Sequence, residues 1–341
     1  MIKQIYTHDH QKHNIETTTK TKTNQTKTKT KTKTNQNQKT NQKTKQNMAT
    51  PTPQKYFVGG NWKLNGTPEK VQEWISNLNK KQSTPSCEVV VFPTALHTLT
   101  VKNSLTNDVA VGAQNISTDK GFGAYTGELT AELFVASGVT YTLVGHSERR
   151  RRKQTRRLGH DESVSSVADK VQHALSAGMK VILCIGETLK DREDGRTLKV
   201  CMDQLRAVID TIPLNAWKSD IVIGYEPVWA IGTGVSATPQ QAQEVHEALR
   251  LFLTENLSSE IATNLRIIYG GSVKGHNAES LINQPDIDGF LVGGASLKPD
   301  FLNIINAVPS KFDISTRTKK RKAREAGIQA IGVDGKKQAT M

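Results

Sequence analysis

Short apolar runs alternate with longer amphipathic stretches through the middle of the chain, between residues 48 and 309. Each run is rich in β-branched and aromatic residues and has the length of a strand buried on both faces. Eight such strands are predicted, and the first run continues into a loop at its carboxyl end. They are Tyr56–Lys63, Glu88–Phe92, Val109–Gln114, Tyr141–Gly145, Lys180–Gly186, Ile221–Tyr225, Arg266–Gly271 and Gly289–Gly294.

The stretches between these runs carry apolar residues at helical spacing. The clearest predicted helices are 68–80, 196–212 and 239–257, and the first and last of them open with a proline at a first-turn position. Strands that alternate with helices over 48–309 favour an α/β fold, a closed parallel (β/α)8 barrel, over an open sheet. An open sheet would need a Gly-rich loop after the first strand, whereas Gly59 and Gly60 come before the end of that strand.

Composition divides the chain into three parts. Residues 1–47 contain eleven Lys against Asp9 and Glu16, with almost no apolar residue after Thr17, so this part is predicted to be disordered. Residues 310–341 hold nine Lys or Arg against three acidic residues and are predicted to form a basic, disordered tail. Of the total charge of +14, these parts carry +9 and +6, which leaves 48–309, the barrel domain, at −1.

The positive charge therefore belongs to the two terminal parts of the chain. It is a weak argument for a nucleic-acid partner. A solvated tail explains such charge more simply than contact with nucleic acid, although Lys319–Arg324 also has the composition of a nuclear signal. No apolar run reaches the roughly 18 residues of a membrane span, and no secretory segment is visible. Three cysteines without paired or metal-ligand spacing predict a reduced, cytoplasmic protein without structural disulfides.

Candidate chemistry begins where the sixth strand ends. Glu226 follows Tyr225 directly and Pro227 stops the strand, so a carboxylate is expected at the carboxyl end of the barrel, where ligands bind in parallel α/β folds. The next residues end in Gly232-Thr233-Gly234, and a short apolar segment between a proline and glycines has the composition of a closing lid.

Polar residues also follow other strands at the same predicted end. Asn61 and Lys63 alternate around Trp62, so both side chains can project in one direction. His146 follows the fourth strand, and the seventh and eighth strands each end in paired glycines. Backbone N–H groups of glycines allow close approach of a phosphate.

Segment 221–235 and the motif Gly145-His-Ser-Glu-Arg-Arg150 resemble the triosephosphate isomerase family, and the similarity extends over 55–307. The resemblance implies a TIM barrel that interconverts dihydroxyacetone phosphate and glyceraldehyde 3-phosphate through an enediolate, in glycolysis and gluconeogenesis. It further implies a small phosphosugar substrate, a homodimer, and neither cofactor nor metal.

The resemblance also implies roles for individual residues. Glu226 would be the base, and His146 would donate a hydrogen bond to the substrate carbonyl as a neutral ring, since a helix N-terminus disfavours its charged form. Lys63 would stabilise negative charge, Asn61 would donate to substrate oxygens, and Glu148 would orient Lys63. The remaining positions it implies are the phosphate-binding Gly232, Ser272, Gly293 and Gly294, and Thr126 in a dimer loop between Gln114 and Leu129.

The chain departs from the family pattern at Arg151–Arg157, a strongly basic insertion close to His146. We expect near-normal chemistry but a weaker dimer, because like charges would face each other across a twofold interface. Two alternatives stay open from sequence: an inactive barrel kept as a binding protein, and an added nucleic-acid-binding role of the tails.

Overall fold

The computed structural model describes residues 55–150, 162–231, 237–315, 317–319 and 321. Eight parallel strands form a closed barrel in which every strand pairs with its sequence neighbours and β8 pairs with β1. This confirms the predicted fold class. The strands are β1 (Tyr56–Asn61), β2 (Cys87–Phe92), β3 (Ala110–Ala113), β4 (Tyr141–Val144), β5 (Lys180–Ile185), β6 (Ile221–Tyr225), β7 (Arg266–Tyr269) and β8 (Gly289–Val292).

Six of the eight strands end one or two residues before the carboxyl ends of the predicted runs, whereas β2 and β6 end as predicted. β4 stops at Val144, β7 at Tyr269 and β8 at Val292, so the glycines after them lie in the loops of the barrel mouth. Those glycines belong to the ligand-binding end of the fold rather than to its sheet.

Helices cover the outside of the barrel, and the longer ones each bury one apolar face, as α1 does with Val71, Trp74, Ile75 and Leu78. The α-helices among the described residues are α1 (Pro68–Asn79), α2 (Thr98–Ser104), α3 (Ala131–Ala136), α4 (Ser147–Arg150), α5 (Val164–Ser176), α6 (Leu189–Glu193), α7 (Thr197–Ile209), α8 (Pro239–Asn256), α9 (Ser259–Asn264), α10 (Gly275–Ile282) and α11 (Asp300–Asn306). Local sequence explains where several of them start. Proline opens α1 and α8, and the preceding residues Thr67 and Thr238 accept hydrogen bonds from the first-turn N–H groups.

The barrel interior is a separate apolar cluster to which all eight strands contribute. Its members are Phe57, Val90, Phe92, Ala110, Tyr141, Leu143, Ile182, Cys184, Val222, Ile268 and Leu291. Because side chains alternate between the two faces of a strand, every second residue points into the barrel. This inward-facing series runs toward the mouth from Phe57 through Gly59 to Asn61, and from Val222 through Gly224 to Glu226. Asn61 and Glu226 are therefore placed at the mouth by the same two-residue period that fills the core.

Several residues after Pro309 pack against the barrel. Phe312 packs edge-on against Tyr56 with ring centroids 4.6 Å apart, and Arg317 is buried at the base of the barrel. Residues beyond the expected domain boundary at 309 thus belong to the packed structure. The predicted extension 1–47, the insertion Arg151–Arg157 and Gly232 lie outside the described residues.

Within the described ranges, no helix is both long and apolar enough to cross a membrane. Cys87, Cys184 and Cys201 are all buried and free of disulfide bonds.

Candidate active site

Glu226 and His146 meet at the mouth of the barrel. One oxygen of Glu226, Oε1, lies 3.0 Å from His146 Nε2, and the other accepts a 2.9 Å hydrogen bond from the Ser147 N–H. Only 3% of the Glu226 side chain and 8% of the His146 side chain are exposed. A carboxylate and an imidazole are therefore held in contact with little water around them.

The charge of the His146 ring depends on this contact. As predicted, the ring stands at the N-terminus of a helix, α4, and the Glu148 N–H lies 3.2 Å from Nδ1. That arrangement favours a neutral ring whose proton is on Nε2. Burial also opposes a charged ring, but the adjacent Glu226 carboxylate outweighs it and raises the pKa of His146. The position of Glu226 thus decides which form the ring takes.

The same contact acts on Glu226 in the opposite sense. Burial by itself would raise the pKa of this carboxyl group, but His146, the Ser147 N–H and the positive charge of Lys63 together lower it. Glu226 is therefore an ionised carboxylate with few water molecules to solvate it. Once His146 no longer holds this carboxylate, it has the proton affinity that a general base needs.

Lys63 enters the mouth on a strained turn. Its φ of 53° lies in the left-handed region, and the side chain of Asn61 accepts from its backbone N–H at 2.9 Å. Gln114, which the sequence analysis did not single out for this role, donates to the Lys63 carbonyl at 2.7 Å. The Glu148 carboxylate pairs with the Lys63 ammonium group at 2.5 Å. Lys63 is therefore held both at its backbone and at the end of its side chain.

These side chains line one cavity of about 380 Å³. Asn61, Lys63, His146 and Glu226 form part of its wall, as do three of the four predicted phosphate-binding residues: Ser272, Gly293 and Gly294. Lys274 and Lys298 also line it and were not anticipated from sequence. Thr126 is exposed on the long loop between β3 and α3 and is not part of this wall.

A second buried carboxylate holds the start of the expected lid. Glu187, two residues after the end of β5, accepts hydrogen bonds from Tyr225 at 3.2 Å and from Trp229 at 2.8 Å. Burial raises the pKa of Glu187, and Arg192 stacks over the Trp229 ring at 4.5 Å. The local sequence does not indicate this role of Glu187, since Trp229 lies 42 positions further along the chain.

Arg150 joins the ends of two strands beneath the site. It donates to the carbonyl of Gly145 at 2.6 Å and to that of Cys184 at 3.0 Å, which lie at the carboxyl ends of β4 and β5. Gly145 has a φ of 76°, and a Cβ there would lie 2.6 Å from the Arg150 guanidinium. The turn that aims His146 at the cavity therefore requires both residues.

The described residues on the two sides of the basic insertion are bonded to each other. Arg149 pairs with Glu162 at 2.7 Å, and the Glu162 N–H donates to the Arg149 carbonyl at 3.2 Å. Lys170 of α5 pairs with the same carboxylate at 2.9 Å. The described residues on both sides of the insertion thus keep a fixed separation.

The described residues give little support for a metal site or for a cysteine nucleophile. Across the described ranges, no group of three His, Cys, Asp or Glu side chains has the arrangement of a metal site. Burial raises the pKa of the Cys184 thiol well above its ordinary value, which disfavours a thiolate nucleophile there.

Comparison with known proteins places this geometry in a family. The profile of the triosephosphate isomerase family matches residues 56–308. Cytosolic triosephosphate isomerase of Oryza sativa is 51% identical over 259 residues, which cover 75% of this chain and 98% of the rice enzyme. The enzyme of Paracoccidioides lutzii is 49% identical over 75% of this chain and 99% of its own length. Chloroplastic triosephosphate isomerase of Fragaria ananassa is 49% identical over 75% and 79%. The chain belongs to the triosephosphate isomerase family.

Proposed function

We propose that Glu226 is the base of the triose phosphate isomerisation that this family catalyses. In dihydroxyacetone phosphate it removes a proton from the hydroxymethyl carbon, the electron pair moves to the carbonyl oxygen, and an enediolate forms. The hydroxyl proton of the first carbon passes to the oxygen of the second, and return of the abstracted proton from Glu226 to that second carbon gives glyceraldehyde 3-phosphate. The contact of Glu226 with His146 at the wall of a cavity that also contains Lys63 is the observation that supports this proposal most strongly.

When substrate binds, its carbonyl oxygen must replace Glu226 as the hydrogen-bond partner of His146. Its Nε2 proton is directed at Glu226, and the same proton is needed to donate to the substrate oxygen. When the substrate takes that hydrogen bond, Glu226 is released toward the carbon acid, and the contact that raises the pKa of His146 is lost. A neutral ring then faces the developing oxyanion, and Lys63 supplies the compensating positive charge.

The other wall of the cavity suits the phosphate. We assign its binding to Ser272, Gly293 and Gly294, together with Gly232 from the lid, since short side chains leave backbone N–H groups accessible to an anion. Asn61 donates to substrate oxygens, and Glu148 holds Lys63 in place. Closure of the lid after Trp229 would exclude water, which protects the enediolate from loss of phosphate.

An isomerase assay on the purified full chain tests this assignment. We expect interconversion of the two triose phosphates without added metal or cofactor. A folded protein with no turnover would instead support the inactive-barrel alternative.

We also propose a homodimer in which Thr126 reaches the partner's site. The loop between β3 and α3 is closed at its base by a 2.8 Å hydrogen bond from Ser117 to Leu129, yet it exposes 70% of Phe122. Leu64 and Leu96, which are 88% and 87% exposed, add apolar surface that a second copy would cover.

Sedimentation of the full chain and of a chain without residues 151–157, each at low and high salt, tests the dimer and the effect of the insertion. We expect association to tighten with salt, or with the deletion, because either change relieves repulsion between basic insertions. Equal association in all four samples would show that the insertion does not oppose the dimer, and monomers in all four would contradict the dimer itself.

A cytoplasmic location completes the proposal. Three buried cysteines without disulfide bonds are compatible with a reducing compartment. Because the relatives include both cytosolic and chloroplastic enzymes, fluorescence microscopy of the tagged full chain is the appropriate test, and an organellar signal would contradict this location.

A further inference from the structure

A pair of buried aspartates lies at the base of the barrel, opposite the active site. Asp286 and Asp288 stand just before β8, and both are 2% exposed. Arg250 of α8 pairs with both of them, at 2.8 Å and 2.7 Å. One arginine against two carboxylates leaves a net negative charge in a buried place, which is costly unless further partners compensate it.

The compensating charges come from residues 311–321, which we call the arginine segment. Arg317 pairs with Asp288 at 3.0 Å, and Arg321 pairs with Asp286 at 2.6 Å. Its described residues from Ile314 onward are helical, so side chains four positions apart lie on one face and meet the aspartates together. This segment comes after the part of the chain that matches the family, which ends at residue 308.

Apolar and backbone contacts add to the charge pairing. The Arg317 guanidinium lies over the rings of Tyr56 and Phe312, 5.3 Å and 5.4 Å from their centroids. It also donates to the carbonyl of Ile287, and the Arg317 N–H donates to Asp313 at 3.2 Å. The segment therefore joins the start of β1 to the approach to β8, the two strands at which the barrel closes.

We propose that the aspartate pair is a docking surface for a helical turn that carries two arginines four residues apart, and that the arginine segment is its occupant. Docking stabilises the barrel from its base and leaves catalysis unchanged. The two arginines contribute unequally. Arg317 has 7% of its side chain exposed, whereas Arg321 has 16%. Burial and repulsion by Arg250 also lower the pKa of Arg321, so its charge is held less favourably.

The test uses full-length variants with a matched control. R317Q and R321Q each remove one docking charge, and K319Q removes the same charge from an exposed position of the same segment. We expect R317Q to lower Tm by about 5 °C, R321Q to lower it by less, and K319Q to leave it unchanged. R317K should recover only part of the loss, because an ammonium group cannot reach Asp288 and the Ile287 carbonyl as a planar fork can. The turnover of all four variants should match that of the original chain.

Hydrogen exchange over residues 312–321 separates docking from general stability. We expect R317Q to lose the protection of this segment at temperatures where the barrel is still folded, while K319Q retains it. Equal exchange and equal Tm for R317Q and K319Q would overturn the proposal. A loss of Tm in R317Q with the segment still protected would overturn it as well, since docking would then not depend on the aspartate pair.

Discussion

Buried charges lie at both ends of this barrel, and the two ends use them differently. At the base, Asp288 accepts from Arg250, Arg317 and the Ile267 N–H. At the mouth, Glu226 has one partner for each oxygen, and one of these is His146, beside a cavity of about 380 Å³.

The difference lies in whether a partner can be exchanged. At the base, Asp286 and Asp288 are paired with arginines of the same chain, so these charges contribute to the stability of the folded state. At the mouth, the proton that His146 directs at Glu226 is also the one that a substrate oxygen would accept. Carboxylates paired with several arginines indicate a structural role, and a buried carboxylate with an exchangeable partner beside a cavity indicates a chemical one. Substitutions at each end test this distinction.

The largest expected effect is at the mouth. Glu226→Gln keeps the size of the side chain and removes its basicity, so kcat should fall by about 10² to 10⁴. KM should change little because we assign the phosphate contacts to other residues. Steady-state kinetics check both values, and thermal unfolding serves as the control for folding. A variant with the original kcat would show that Glu226 is not the base.

The corresponding change at the base should affect stability alone. Arg250→Gln leaves Asp286 and Asp288 without their shared partner and should cost about 3 kcal/mol of unfolding free energy, measured in urea. Arg196→Gln is the control, since Arg196 is half exposed and its pairs should contribute about 1 kcal/mol or less. The turnover of the folded Arg250→Gln variant should equal that of the original chain. A large loss of kcat would mean that the two ends are coupled.

A smaller effect is expected between the two ends. Arg150→Lys keeps the charge but cannot hold the carbonyls of Gly145 and Cys184 together, so His146 and Glu226 lose part of their alignment. We expect kcat to fall about tenfold with KM nearly unchanged. Arg149→Lys is the control. Arg149 lies on the same short helix but pairs with Glu162 and not with the strand ends, so this substitution should leave kcat unchanged. Equal kcat values for the two variants would exclude a positioning role for Arg150.

The pH dependence of stability gives the smallest effect. Burial alone would raise the pKa of Asp288, but Arg250 and Arg317 outweigh it and lower this pKa below its ordinary value near 3.8. The resulting stability is present above the unfolded-state pKa and is lost as pH falls through the folded-state pKa. In R317Q that pKa is lowered less, so Tm should begin to fall at a higher pH than in the original chain. Thermal unfolding between pH 6 and pH 3 compares them, and parallel curves would contradict this account.

Local sequence was sufficient to predict the barrel and to place several polar residues at its mouth. The apolar runs predicted all eight strands because a strand buried on both faces is visible in the sequence as a run of roughly four to eight mostly apolar residues. Alternation around Trp62 likewise predicted that Asn61 lies at the mouth, and the proline that stops the sixth strand predicted the same for Glu226. The packing of Phe312 and Arg317 could not be predicted in this way, because a basic, polar composition does not reveal a buried acidic pair elsewhere in the fold.

The sequence by itself therefore determined the order of the strands, the end of the barrel at which the polar residues collect, and the residue types available for chemistry. Only the tertiary structure decided which of those residues touch. The Ser147 N–H reaches Glu226 across 79 positions of sequence, Trp229 reaches Glu187 across 42, and Asp288 is paired with Arg317. Periodicity reports which face of an element is buried, whereas these contacts exist only because a closed ring of strands brings the ends of distant elements to one place.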